Sequence, residues 1–179
     1  IVKEQSFEHA AVTSAHPLAS MIGAAIMKDG GNAFDAAIAV QFALAVVHPA
    51  AGNIGGGGFM LARTSKGTLI GIDYREAAPA KASRDMYLDE TGAIIPGKSQ
   101  AGIFSVGVPG AVAGMEAMHQ KFGKLPWKEL VQPAVDLARK GVVLTEKEAR
   151  GLNGQKADFL KFNVDKNYMI KANDEKWNK

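Results

Sequence analysis

The sequence predicts a mixed fold in which helices and a small sheet pack in layers, rather than a regular strand-helix alternation. Three observations carry that expectation. Two helical patterns lie back to back before residue 50, two strand-like runs joined by a short polar turn follow, and helical patterns dominate after Pro109. The 179 residues fit one domain with a real core, and neither an internal repeat nor a linker interrupts them.

In order along the chain, Ala10–Thr13 reads as a short strand. A helix then runs over about Leu18–Lys28, with Ser14 or His16 near the cap, Pro17 in the first turn and Gly30-Gly31 ending it. Asn32 caps a second helix, Ala33–Val47, and Asp35 complements the positive end of its dipole. That helix is apolar on nearly every side, the pattern of a buried one. His48-Pro49 stops it.

Phe59–Thr64 and Thr68–Tyr74 read as a hairpin around Ser65-Lys66-Gly67. Ala77–Ala82 is a loop, Met86–Leu88 a short apolar run, Asp89–Gly92 a turn, and Ser105–Val108 a further short strand. Pro109 opens a helix to about Lys121, ended by Gly123. Trp127–Lys140 is helical, with Pro133 expected to force a break or a new first turn. Thr145-Glu146-Lys147-Glu148 is a capping box opening a helix toward Leu160, and the polar tail from Asn163 reads as loop or frayed end.

Composition excludes several functions. Apolar residues make up 47% and charged residues 22%, with a formal net charge of +3. The basic residues are scattered, without the stripe that nucleic acid requires. The absence of cysteine removes disulfides, thiolate metal sites and a thiol nucleophile from this stretch. No apolar run approaches the ~18 residues of a membrane helix. Ile1–Glu8 is mixed and polar, unlike a signal peptide.

Two features remain as candidates. Five glycines fall between Gly52 and Gly58. A phosphate-binding loop opens a helix, whereas here Phe59 and a strand follow, so nucleotide binding is disfavoured. Close backbone packing is the better reading of these glycines than ligand contact. Arg75 continues the Asp73 side of the second strand, at a strand end where binding groups gather. A guanidinium can hold a carboxylate through two parallel hydrogen bonds. A structural ion pair with Asp73 or Glu76 is the competing reading, and from the residues alone it is the commoner outcome.

The histidines lack metal-ligand spacing and read as structural or capping groups; no metal site is expected. None of Thr13, Ser14, Ser20 and Ser105 sits in a nucleophile-elbow motif. Thr145 is explained as a helix cap. Asp85 and Asp89 sit in turns, where aspartate is favoured locally.

Several stretches together resemble the opening of gamma-glutamyltransferases. They are Ser14-Ala15-His16-Pro17-Leu18-Ala19-Ser20, Gly30-Gly31-Asn32-Ala33-Phe34-Asp35-Ala36-Ala37, and Val47-His48-Pro49 leading into Gly52-Asn53-Ile54-Gly55-Gly56-Gly57-Gly58-Phe59. Asp73-Tyr74-Arg75-Glu76 with Ala78-Pro79, Gly107-Val108-Pro109-Gly110, and Gln132-Pro133-Ala134 with Leu137-Ala138 follow. The resemblance covers about Val12 to Gly141.

It implies an N-terminal nucleophile hydrolase with an αββα layered fold, made as a precursor that cuts itself into a large and a small subunit. The small subunit's new N-terminal threonine attacks a gamma-glutamyl amide, its own amine acting as base and a glycine pair supplying the oxyanion hole. The acyl group of glutathione or a related compound then passes to water or an amino acid. The resemblance gives Arg75 the substrate's alpha-carboxylate, implies no cofactor, and places the protein in the periplasm or outside the cell. Residues 1–179 then form a single partial domain, the N-terminal portion of the large subunit, with 162–179 as loop or frayed end. Ile1 cannot be the nucleophile, and no catalytic residue is expected in this chain, which is expected to be inactive alone. A cephalosporin-type acylase shares the same motifs, and a scaffold that kept the fold without catalysis is the rival from another class.

Overall fold

A computed structural model of the chain describes residues 6–52, 54–163, 169–171 and 175–178. The chain gathers into two compact units, Ile1–Pro79 with Gly107–Gly141, and Ala80–Val106 with Val142–Lys179. Helices combine with one two-stranded antiparallel sheet among the described residues.

The first unit begins with α1, Pro17–Lys28. His16 caps it, its Nδ1 accepting from the Leu18 amide at 3.2 Å. Pro17 takes the first position, where its missing N–H costs nothing. Gly23 lets the neighbouring helix approach: a Cβ there would lie 2.6 Å from a Val40 methyl and 2.9 Å from Val12. Gly30, at φ 98°, turns the chain out of α1.

Helix α2, Ala33–Val47, starts at the expected residue. The Asn32 Oδ1 accepts from the Phe34 and Asp35 amides, and Asp35 Oδ2 accepts from the Asn32 amide at 2.9 Å. This reciprocal box satisfies amides that have no partner inside the helix. It also staples distant chain. Asn32 Nδ2 donates to the Phe122 carbonyl at 2.7 Å, and the Lys124 amide donates to both Asp35 oxygens at 3.1 and 3.2 Å. Asp35 is completely buried.

The hairpin is β1, Phe59–Arg63, and β2, Leu69–Asp73. Helix α3, Ala111–Phe122, and helix α4, Trp127–Lys140, complete the unit. The core lies where α1, α3 and α4 meet α2: Ile26, Ala36, Ile38, Ala39, Met115, Met118 and Leu130 are buried together. Phe34 stacks on Phe122, and Trp127 meets both Phe42 and His119 edge-on.

Four expectations are corrected. Ala10–Thr13 forms no strand; Val12 packs at Gly23 instead. Helix α2 is not buried all round: Ala33 and Ala37 are exposed. Its Val40 and Leu44, with Val12, Thr13 and Gly52, line an open groove of about 560 Å³. Ser105–Val108 is not a strand: Ile103–Ser105 forms a 3₁₀ turn, and Val108 alone makes a bridge, to Ala77. Pro133 does not break α4. The hydrogen bond it deletes would go to the carbonyl of exposed Glu129, where water can replace it, while Leu130 and Ala134 anchor the helix on its buried side.

In the second unit, the turn expected at Asp89–Gly92 forms between bridged Leu88 and Ile94, with Gly92 at φ 83°. Asp89 Oδ1 accepts from the Thr91 hydroxyl at 2.7 Å and from the Thr91 and Ala93 amides. These bonds, the hydroxyl foremost, hold its carboxyl below the usual range. Thr145 and Glu148 form the expected capping box of α5, Glu146–Gly154. The helix expected to reach Leu160 instead breaks at Gln155, and α6, Lys156–Phe162, follows. Gly151 and Gly154 weaken the helix just before the break.

Within the expected tail, residues 164–168, 172–174 and 179 lie outside the described residues. Trp177 is tied down: its amide and carbonyl bond to the Asn153 side chain at 2.9 and 3.0 Å, and its Nε1 donates to the Met169 carbonyl.

Candidate functional site

Alternation along the hairpin decides which groups it presents. The register pairs Phe59 with Asp73 and Arg63 with Leu69. Met60, Ala62, Ile70 and Ile72 face inward, and Met60 and Ile72 reach the core. Phe59, Leu61, Leu69 and Asp73 face outward and are exposed. Tyr74 packs against the core cluster, and Arg75 emerges on Asp73's side at the strand's end, which the structure makes the outward one.

The segment Tyr74–Ala77 lies in a cradle of glycines from two places in the chain. A Cβ on Gly57 would lie 2.6 Å from the Tyr74 carbonyl oxygen and 2.7 Å from the Glu76 nitrogen. One on Gly58 would lie 2.8 Å from the Tyr74 ring, and one on Gly107 2.9 Å from the Glu76 Cβ. Gly110 has no room for a side chain because the Tyr74 carbonyl occupies that space; at Gly114 the Tyr74 ring does.

Hydrogen bonds lock the same parts together. Gly58 and Tyr74 exchange backbone bonds, and the Gly110 and Ala111 amides both donate to the Gly56 carbonyl at 2.9 Å. Ala77 and Val108 also exchange a pair. The Gly110 and Ala111 amides are therefore used within the fold and not offered to a ligand. This geometry supports packing as the role of Gly57 and Gly58. Gly55 faces open space, and Asn53 lies outside the described residues.

Arg75 is held at three points. Its amide donates to Asp73 Oδ1 at 2.9 Å, which fixes the backbone at the strand end. Its Nε lies 3.2 Å from Glu76 Oε2. Its guanidinium carbon stands 5.7 Å from the centroid of the Phe59 ring. The side chain is 62% exposed. Of the two expected ion-pair partners, the structure pairs it with Glu76. That contact uses one edge of the guanidinium, while Nη1 and Nη2 have no partner among the described residues. Beside it, the Tyr74 hydroxyl donates to the Phe59 carbonyl at 3.3 Å, and burial pushes this phenol above its ordinary pKa.

The other candidates are dispersed. His16 caps α1, His48 closes α2, and His119 bonds the Leu125 carbonyl at 2.8 Å. Among the described residues no cluster of three or more His, Cys, Asp or Glu could hold a metal. Sequence reading missed Gly114 and Phe59 as neighbours of the Tyr74-Arg75 segment. A glycine inside an otherwise good helix is the signal that could have exposed the first.

Known proteins resemble this chain in sequence and in fold. The sequence profile of the family described as Gamma-glutamyltranspeptidase matches residues 19–178. The glutathione hydrolase proenzyme of Pseudomonas sp. (strain A14) is 47% identical over 154 residues, 86% of this chain and 27% of that protein. The crystal structure of Helicobacter pylori gamma-glutamyltranspeptidase superposes with a TM-score of 0.90 at 44% identity, covering 96% of this chain and 49% of that one. A cephalosporin acylase structure from Bacillus halodurans is more distant, with a TM-score of 0.71 at 26% identity over 92% of this chain and 32% of that one. The chain spans about a quarter of the length of the curated relatives it matches. It belongs to the gamma-glutamyltranspeptidase family.

Proposed function

We propose that the longer protein containing this chain transfers the gamma-glutamyl group of glutathione and related compounds to water or amino acids, through an acyl-enzyme on a threonine outside these 179 residues. The observation that carries this reading is Arg75, which presents two terminal nitrogens at the end of a strand clamped by glycines. Such a fork matches the alpha-carboxylate of a gamma-glutamyl donor. The greater distance of the acylase structure, 26% identical against 44%, favours this donor over a cephalosporin-type substrate.

The same reading completes the αββα layers with the small subunit of the same precursor. The outward face of the hairpin supports it: Leu61 is 90% and Leu69 79% exposed, where a solvent-facing sheet would alternate to polar residues. The open groove along α2 is a second uncovered apolar surface. In this reading the protein acts in the periplasm or outside the cell. No helix among the described residues is long and apolar enough to cross a membrane.

Arg75→Lys in the longer protein tests the assignment. It keeps the charge and loses the fork, so KM for glutathione is expected to rise tenfold or more. Unchanged glutathione kinetics would remove Arg75 from the substrate site. This chain by itself is expected not to turn over a gamma-glutamyl anilide, and measurable release of the aniline by the purified chain would contradict the division of labour.

A further inference from the structure

We propose that Phe59 is a positioning residue for substrate binding: its ring face holds the Arg75 guanidinium so that Nη1 and Nη2 together meet the donor's carboxylate. The inference rests on the reading of Arg75 given above. Three observations on the hairpin carry it.

First, Phe59 cannot drift away from Arg75. The ladder sets it opposite Asp73, the Gly58 amide and carbonyl bond to Tyr74, and the Tyr74 hydroxyl donates to the Phe59 carbonyl at 3.3 Å. The ring's origin is thus tied on both sides to the residues that precede Arg75. Second, the guanidinium carbon stands 5.7 Å from the ring centroid, within the range at which a cation is attracted to an aromatic face. Third, the Nε edge is taken by Glu76 at 3.2 Å.

A guanidinium can grip a carboxylate side-on, through Nε and one Nη, or end-on, through both Nη atoms. With Nε paired to Glu76, the end-on pair is what remains for a ligand. An arginine that is 62% exposed would otherwise sample many rotamers, and ordering it on binding costs affinity. The aromatic face reduces that cost before the ligand arrives. The Phe59 ring itself is 63% exposed on the outward face of the hairpin, beside the guanidinium.

The test is a pair of substitutions in the longer, active protein, read with two donors. Phe59→Leu keeps the apolar bulk and removes the aromatic face; Phe59→Tyr keeps the face. With a gamma-glutamyl donor, Phe59→Leu is expected to raise KM about fivefold with kcat within about twofold, and Phe59→Tyr to stay within about twofold of the parent. With a donor lacking the alpha-carboxylate, Phe59→Leu is expected to change nothing. A rise in KM to the same extent in both variants, or for both donors, would reduce Phe59 to a packing residue. A fall in kcat at unchanged KM would overturn the proposal as well.

Should Phe59→Leu fail to fold, Phe59→Met supplies the same contrast with a more adaptable side chain. Arg75→Lys in parallel separates the two ideas. If it leaves KM unchanged, the reading of Arg75 itself fails. If it raises KM while Phe59→Leu does not, only the role of Phe59 is lost.

Discussion

Asp35→Ala is expected to destabilise the chain by about 2–5 kcal/mol, a large part of the roughly 5–15 kcal/mol that holds a domain together. The carboxylate is completely buried, and no cation pairs with it among the described residues. It is held by backbone amides: Asn32 at 2.9 Å and Lys124 at 3.1 and 3.2 Å. The positive end of the α2 dipole adds to them. Alanine removes the acceptor for two half-buried amides, each costing about 1–3 kcal/mol when left unsatisfied. It also releases the Phe122–Lys124 corner from α2, so the loss extends beyond one helix.

Asp35→Asn separates charge from shape. It keeps one oxygen but turns an NH₂ toward a backbone donor, and about half the alanine effect is expected. Urea unfolding of the chain reads both variants. A loss under about 1 kcal/mol for Asp35→Ala would mean that water replaces the carboxylate and that the staple contributes little.

Gly114→Ala is expected to cost about 2–3 kcal/mol, although alanine is the better helix former by about 1 kcal/mol. The two effects oppose each other, so the sign of the result identifies the winner. The Tyr74 ring fills the space a side chain would enter; a new Cβ would lie 2.6 Å from the Tyr74 Cβ, closer than real contacts allow. On its other side the ring meets Gly58, so it cannot retreat without moving the hairpin. Gly151→Ala is the control. It sits in α5 with open space around it, and there the propensity term alone is expected to stabilise by about 0.5–1 kcal/mol. Both are read by thermal unfolding. Stabilisation by Gly114→Ala would show that the Tyr74 segment adapts freely and that the glycine cradle does not fix it. Because Arg75 follows Tyr74 directly, the same substitution in the longer protein is expected to raise KM as well as lower Tm.

The correspondence between sequence and structure divides along a physical line. Where a helix end is written in local chemistry, the sequence was sufficient. Asn32 with Asp35 and Thr145 with Glu148 mark their helices to the residue, because a cap is a hydrogen bond across three positions. The hairpin and the side on which Arg75 emerges were equally legible, since alternation is a property of the strand itself. The motifs around Gly52–Phe59 and Asp73–Glu76 identified the family.

Tertiary structure decided what depends on partners distant in sequence. Whether Ala10–Thr13 becomes a strand depends on an edge to pair with, and whether Pro133 breaks a helix depends on what the rest of that helix buries. The twofold use of Asp35, as a cap for α2 and as the anchor of Lys124, joins residues 89 apart. The glycine cradle brings Gly57 and Gly58 together with Gly107, Gly110 and Gly114 around one segment. Each local signal says only that a side chain is missing. What fills the space is settled by packing, and here it is the tyrosine next to Arg75.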